Sequence, residues 1–357
     1  MNVVFRVDAS IHIGSGHVMR CLVLAKALRR EGASVTFACL PMPGDMRAYI
    51  EGQGFAVHSL TPPPVIIEPS SSADYLGWLQ RSVEVDAHDF LSCISEVDWV
   101  VTDHYAIDAE WQTIISSKLG CQILAIDDLV RRHFASLIID QTLNREVNEY
   151  DSPNAVLTGT RFALLDERFS KKRDVAEKRR FNKSQASVLV SMGGIDAPNA
   201  TLKILKSLEA QNEIKCTVLL SERSPHFEEV RDWCGEKPQF THIPFTNDMA
   251  GMMLNHDIAI GAPGSTSWER ACLGLPNVIV PLADNQHEIC SELVKAGAAV
   301  KVDIEDIEVR LPSAVSQVLE NWEDYVQKNL LLCDGRGVER VVDKIMEIHR
   351  ENNPSVQ

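Results

Sequence analysis

Short runs of aliphatic and β-branched residues alternate along this chain with segments whose apolar positions recur every three to four residues. The runs predict strands at 3–7, 35–39, 99–102, 123–126 and 137–139 in the first half. In the second half they predict strands at 188–190, 216–220, 258–260 and 278–280. These runs are apolar throughout instead of alternating with polar residues, as strands are when helices cover both faces of a parallel sheet. The expected fold class is therefore α/β, with two Rossmann-like, doubly wound domains. The rhythm lapses between 160 and 185, where Lys171, Lys172 and Arg173 precede a second charged stretch at 177–180, and this reads as an interdomain linker. The expected domains are 1–165 and 182–335, followed by a C-terminal helix and tail at 336–357. Residues 337–350 are helical in pattern and 351–357 read as frayed. Two open sheets joined in this way leave an interdomain cleft faced by the carboxyl ends of their strands. One segment breaks the alternation: 61–72 is rich in Pro and Ser and reads as a mobile insertion in preference to a substrate loop.

Composition narrows the picture. With 357 residues, two domains are the natural expectation. Apolar residues make up 45% and charged residues 24%, an ordinary globular balance. No run is long and apolar enough to span a bilayer, and the start of the chain lacks the features of a signal peptide. The nine cysteines are scattered with no C-x-x-C pair, and Cys21, Cys39, Cys121 and Cys272 sit in apolar segments. They read as reduced core residues of a cytoplasmic protein, not as a disulfide frame or a metal site. A net charge of −15 argues against nucleic acid and against an anionic membrane as partners. A phosphorylated ligand would need local donors, such as helix N-termini, to offset that field.

Five motifs carry candidate chemistry. Gly14-Ser15-Gly16-His17 follows the first strand and precedes a helix whose apolar face is Val18, Cys21, Leu22, Ala25 and Leu28, ended by Gly32. The glycines let backbone approach a ligand, and the helix's positive end favours a neutral imidazole able to accept a proton. The plainer alternative is a tight turn with an incidental histidine. This is not a dinucleotide fingerprint, because Met19 stands where the third glycine belongs. Ser191-Met192-Gly193-Gly194-Ile195-Asp196 repeats the order of strand, glycines and helix, either for close approach to a diphosphate or merely for a turn. In the stretch 261–269, Gly264, Ser265 and Thr266 would offer donors at a helix start. Glu269 there could accept both hydroxyls of a ribose, or could close a capping box with Thr266. Asn285 and Gln286, after the strand at 278–280, can donate and accept and so suit sugar hydroxyls, or Asn285 could cap the next helix. Finally, Asp103, His104 and Tyr105 end one strand and Asp127-Asp128 another. Adjacent acids on a strand point oppositely, so a dinuclear metal site is not expected, and one acid capping the next turn is the plainer reading. Asp8 could support His17 or cap its loop.

The residues Arg6 to Ser10, Ile13 to His17, Met19 to Leu22 and Leu24-Ala25 resemble the PseG family, the UDP-2,4-diacetamido-2,4,6-trideoxy-β-L-altropyranose hydrolases of pseudaminic acid biosynthesis. Further matches are Asp103-His104-Tyr105 with Ile107-Asp108 and Trp111, Asp127-Asp128, Ser191 to Asp196, Gly264 to Glu269 with Gly274-Leu275-Pro276, and Asn285-Gln286. The resemblance runs nearly to Asp334-Gly335-Arg336-Gly337. It departs at Pro263, where a small residue is expected, and at the insertion 61–72. It implies a two-domain fold like that of the GT-B glycosyltransferases, MurG in particular, with the sugar passed to water.

The resemblance also implies roles. His17 is the catalytic base that activates water. Tyr105 and Asn285 match positions that contact the sugar or the reacting water, and Gly14, Ser15, Gly16 and Gln286, read above from their own chemistry, are placed with them on the substrate side. Ser191, Gly193, Gly194, Gly264, Ser265, Thr266 and Glu269 lie on the UDP side. The expected partner is a small-molecule UDP-sugar, with no metal and no cofactor. The rival expectations are a UDP-sugar glycosyltransferase of the same fold and a nucleotide-sugar-binding regulator without turnover.

Overall fold

The computed structural model describes residues 1–181 and 185–353. It contains two compact units, one made of Met1–Leu164 with Arg336–Gln357 and the other of Leu165–Gly335. The first unit holds β1 (Asn2–Val7), β2 (Ser34–Cys39), β3 (Ala56–Ser59), β4 (Trp99–Asp103), β5 (Gln122–Asp127), β6 (Leu137–Asp140) and β7 (Ala155–Thr158). These form one sheet in the order β3-β2-β1-β4-β5-β6-β7. Every pairing in it is parallel. The second unit holds β8 (Ala186–Ser191), β9 (Ile214–Leu219), β10 (Phe240–Ile243), β11 (Ile258–Gly261), β12 (Asn277–Ile279) and β13 (Ala299–Lys301). Its sheet, again all parallel, has the order β10-β9-β8-β11-β12-β13.

The nine strands legible in the sequence are the nine inner strands. The four that were not, β3, β7, β10 and β13, are the sheet edges. An edge strand is not covered on both faces, so it needs no continuous apolar run. In β3 no residue is buried, and in β7 every residue is only half-buried. Alternate residues of β1 feed the two faces of its sheet. Val3, Phe5 and Val7 pack with the helix Gly16–Arg30, while Val4 joins Phe90 and Trp111 on the other side.

In each sheet the strand order reverses beside the first strand of the unit, between β1 and β4 and between β8 and β11. Loops leaving adjacent strands there run to opposite faces, which opens a crevice at their carboxyl ends. Val7 pairs with Asp103 at one such point, and Ser191 with Gly261 at the other. All the candidate motifs except Asn285-Gln286, which follows β12, sit at or beside these two points.

The charged stretch read as a linker is partly a helix, Glu167–Ala176, within the second unit. Arg173 on it donates to the carbonyl oxygens of Cys272, Cys333 and Leu330. The C-terminal helix, Gly337–Asn352, belongs to the first unit, where Val338, Val341, Val342 and Ile345 enter the core behind β1. The residue-182 start expected for the second domain and the tail at 354–357 lie outside the described residues; Glu351 and Asn352 are still helical. Among the described residues no cysteine is in a disulfide, and all but Cys93 are buried.

The insertion is tied down at several points. Ile67 exchanges two backbone hydrogen bonds with the Gln80 side chain, each 2.7 Å long. Thr61 is held by Asp89 through its N–H and its hydroxyl. Glu68 lies 3.3 Å from His12 in the loop after β1.

Candidate functional site

The loop after β1 folds on itself before the helix begins. The Ser10 hydroxyl oxygen accepts from the N–H groups of His12 and Ile13, and the Gly14 N–H donates to the Ser10 carbonyl at 3.0 Å. Gly14 has φ of +79°, which a side chain would disfavour. Ser15 then caps the helix without a side-chain bond, Gly16 is its first residue and His17 its second.

His17 Nδ1 lies 2.6 Å from Asp103 Oδ1, at the end of β4. Arg20, one turn further along the helix, donates through Nε to Asp103 Oδ2 and through Nη2 to Oδ1, both at 2.6 Å. Burial alone would raise the Asp103 carboxyl, but Arg20 and His17 outweigh it and hold the group well below the usual carboxylate range. An ionised carboxylate only accepts, so in the neutral imidazole it is Nδ1 that carries the proton and Nε2 the lone pair. Arg20 Nη2 also lies 3.1 Å from Nδ1, but with both nitrogens donors this is a close approach of charge and not a hydrogen bond.

Tyr105 follows on the same strand end. Its ring meets the His17 ring edge-on with centroids 4.9 Å apart, and its hydroxyl donates to Asp128 Oδ2 at 3.0 Å. Tyr75 and Trp78, just beyond the insertion, pack on the same ring at 4.9 and 5.7 Å. His104 is turned to the other side of the strand. Its Nδ1 accepts from the Ala106 N–H, and burial pushes the imidazole down to about 4. Asp8 does not reach His17. It pairs with the fully buried Arg6 at 2.7 Å and takes the Leu40 N–H at 2.7 Å, so it ties β1 to the end of β2. Arg6 also holds Asp86, which accepts from the Trp111 indole.

Asp127 and Asp128 diverge as strand geometry requires. Asp127 accepts from the Arg131 N–H and guanidinium and from the Tyr150 hydroxyl, which caps the following turn. Asp128 turns towards Tyr105 and Arg20. Among the described residues no group of His, Cys, Asp or Glu side chains is arranged to hold a metal ion.

In the second unit, Ser191 ends β8, and Gly193 has φ of +94°. The helix expected directly after these glycines starts only at Ala200. Its first N–H groups are already taken, Ala200 and Thr201 by the buried Asp196 carboxylate and Leu202 by Asn199. An anion beside Gly193 and Gly194 would therefore rely on loop N–H groups, a correction to the expectation of a helix end there. The loop after β11 is different. Gly264 caps the helix Ser265–Cys272, and its N–H is taken by the Ser267 hydroxyl. No side chain accepts from the first N–H groups of the helix itself, so Ser265 and Thr266 retain the character of an anion site.

Because Ser267 fills that position, Glu269 makes no capping box with Thr266. Its Oε2 is buried without a hydrogen-bond partner, and burial pushes its carboxyl up to about 7. A desolvated acceptor of this kind calls for a donor from a ligand. Asn285 and Gln286 lie in a 3-10 turn before the helix His287–Lys295. The Gln286 side-chain oxygen Oε1 accepts the Leu282 N–H at 2.8 Å, and Asn285 is not the cap of that helix.

Sequence reasoning missed Arg20 and Arg270. Arg20 stands three residues after His17 on the same helix face, a signal that was legible. Arg270 is buried beneath the loop after β11 and donates to Thr266, Ala262 and Ser267. Its guanidinium fills the space that a side chain at Gly261 would need.

Residues 187–331 match the glycosyltransferase family 28 C-terminal domain. Over 98% of its length the chain is 26% identical to the spore coat polysaccharide biosynthesis protein SpsG of Bacillus subtilis, covering 99% of that protein. Over 84% of its length it is 25% identical to the UDP-2,4-diacetamido-2,4,6-trideoxy-beta-L-altropyranose hydrolase of Campylobacter jejuni, covering 99% of it. Among solved structures, MurG of Acinetobacter baumannii superposes with a TM-score of 0.65 at 19% identity, covering 97% of this chain and 99% of that one. The fold is thus that of the GT-B class. Within it, the chain is similar over most of its length to the Bacillus and Campylobacter proteins. Among the described residues no helix is long and apolar enough to cross a membrane.

Proposed function

We propose that this protein is a UDP-sugar hydrolase, which cleaves a UDP-linked 2,4-diacetamido-2,4,6-trideoxy sugar to UDP and the free sugar in pseudaminic acid biosynthesis. The observation that carries the reading is the His17–Asp103 pair, with Nδ1 committed to an ionised carboxylate. Such an imidazole is a general base at Nε2. In this scheme Nε2 takes one proton from water while the water oxygen bonds to the anomeric carbon. The bond from that carbon to the phosphate oxygen breaks, and its electron pair leaves with UDP, so the anomeric centre inverts.

The second unit is assigned the leaving group. Ser191, Gly193 and Gly194 with Gly264, Ser265 and Thr266 would hold the diphosphate, and Glu269 the ribose hydroxyls. Gly14, Ser15, Gly16, Tyr105, Asn285 and Gln286 are assigned to the sugar side. For Gly14 this contribution is to loop shape, since its N–H is already bonded, while Gln286 keeps its side-chain amide N–H groups as donors after its Oε1 has accepted the Leu282 N–H. The reaction proposed uses no metal and no cofactor, and its setting is the cytoplasm. The similarity to the Campylobacter hydrolase supports the substrate class.

The match to a glycosyltransferase domain favours a second reading, in which a sugar or lipid hydroxyl takes the place of water. UDP release measured over a panel of UDP-sugars, with products identified by NMR, separates the two. Release without acceptor supports the hydrolase. Release only on adding an acceptor supports the transferase, and binding without release in either case supports a regulator.

A further inference from the structure

The His17 centre contains a second carboxylate that the mechanism above does not use. Asp128, just beyond β5, accepts the Tyr105 hydroxyl at 3.0 Å through Oδ2, and the same oxygen lies 3.6 Å from Arg20 Nη1. Its Oδ1 is buried with no hydrogen-bond partner. Arg20 therefore stands between two carboxylates, with Asp103 on its Nε and Nη2 edge and Asp128 beside Nη1.

A count of local charge explains why two are needed. At rest, the Arg20 guanidinium and the Asp103 carboxylate cancel. When His17 takes a proton, a second cation appears with its Nδ1 3.1 Å from Arg20, on a side chain only 11% exposed. The other titratable neighbours cannot answer it. The Cys21 thiol, which donates to Asp103, is pushed well up by burial and stays neutral. His104 is neutral for the reason given above. Asp127 faces away and is matched by Arg131 and His133. Only Asp128 is left.

We propose that Asp128 is a positioning and charge-balancing residue of the His17 centre, which acts through Arg20 and the Tyr105 hydroxyl to stabilise the imidazolium formed when His17 accepts a proton. The role deepens the hydrolase reading and rests on it for its catalytic meaning. Burial lifts the Asp128 carboxyl above its ordinary value, with Arg20 pulling it back and Asp127 pushing it further. A carboxylate left poorly compensated at rest gains most when a cation forms close by. The Tyr105 hydroxyl fixes its direction, and the contacts of Tyr105 with Tyr75, Trp78 and His17 fix the tyrosine.

The test is Asp128→Asn, with Asp128→Glu and Tyr105→Phe beside it, in the full-length protein. The first readout needs no turnover. The His17 ring, assigned by its loss in His17→Ala, is titrated by ¹⁵N NMR, and in Asp128→Asn its midpoint should fall by roughly half to one pH unit. Asp128→Glu should restore most of that change, and Tyr105→Phe, which keeps both charges but releases the Asp128 carboxylate, should lower the midpoint by less than Asp128→Asn does. The second readout is hydrolysis, where Asp128→Asn should lower kcat about 10- to 100-fold with little change in KM. An unmoved His17 titration in a folded Asp128→Asn protein overturns the proposal, whatever the activity. If the titration moves but wild-type protein hydrolyses no UDP-sugar, the hydrolase reading fails while the charge coupling stands.

Discussion

His17 Nδ1 and Asp103 Oδ1 stand 2.6 Å apart although 86 positions separate the two residues in the chain. The contact joins the first turn of a helix to the end of the neighbouring strand, and it selects which ring nitrogen is protonated. His17→Ala should lower kcat by about 10²- to 10⁴-fold, the usual contribution of a general base. Asp103→Asn should come close to the same loss, because an amide can stabilise the other tautomer. Calorimetry with UDP should give nearly wild-type affinity for both variants, whose changes lie in the first unit. Wild-type turnover by either would remove the pair from the reaction.

Glu269 supports a prediction with opposite signs for binding and stability. Its carboxyl is pushed up to about 7 by burial, from an ordinary value of 4.5. Between those two values the folded protein holds a proton that the unfolded chain has released, so this group makes stability fall as pH rises through that window. Glu269→Gln removes the slope. The variant should melt higher than wild type at pH 8, and the difference should close near pH 4.5. UDP affinity should nevertheless drop roughly 10-fold, since a charged acceptor is lost. A lower melting point at pH 8 with unchanged UDP affinity would contradict both halves.

Activity should survive EDTA. The acidic pair at the end of β5, the best sequence candidate for a divalent ion, is already engaged, Asp127 by Arg131 and Tyr150 and Asp128 by Tyr105. Loss of turnover on chelation, recovered with magnesium or manganese, would count against the proposed mechanism.

The bond broken can be read directly. In ¹⁸O-labelled water the label should enter C1 of the sugar and be absent from UDP, and the first-formed anomer should be inverted. Mass spectrometry of UDP decides the first point before mutarotation obscures the second. Label in the β-phosphate would mean attack at phosphorus, a route in which His17 has no part.

Gly337 begins the C-terminal helix in close contact with backbone. A Cβ there would lie 2.3 Å from the Ala163 carbonyl oxygen and 2.5 Å from its nitrogen. Gly337→Ala should cost about 1–3 kcal/mol, the range for overpacking, read from denaturant unfolding. An unchanged midpoint would show that the helix can shift without loss.

Legibility followed burial. The inner strands announced themselves because both faces demand apolar residues, and the edge strands did not. The glycine turns and His17 were legible because each follows a strand and precedes a helix. Asp103 was visible as one of three strand-end candidates, but its selection depends on which way β4 faces, a property set by a distant pairing with β1 in which Val7 meets Asp103. The asparagine and glutamine after β12 looked alike in sequence, yet the Gln286 side-chain oxygen is taken by the Leu282 N–H. The capping-box reading of Glu269 failed for a local reason, since the helix begins at Ser265 with Gly264 as its cap, two residues too early for Thr266 to serve.

The return of Gly337–Asn352 to the first unit bears on how the protein is made. Translation delivers residues 1–164 before the second unit, but Val338, Val341, Val342 and Ile345 of their core leave the ribosome only after it. The second unit is continuous and can complete its own core while synthesis continues. The half synthesised first must therefore wait with an apolar groove behind β1 open to solvent, and it closes only when the last helix arrives across the whole length of the second unit. A premature stop within that helix would spare every residue assigned to the reaction and still leave the unit carrying His17 without a finished core.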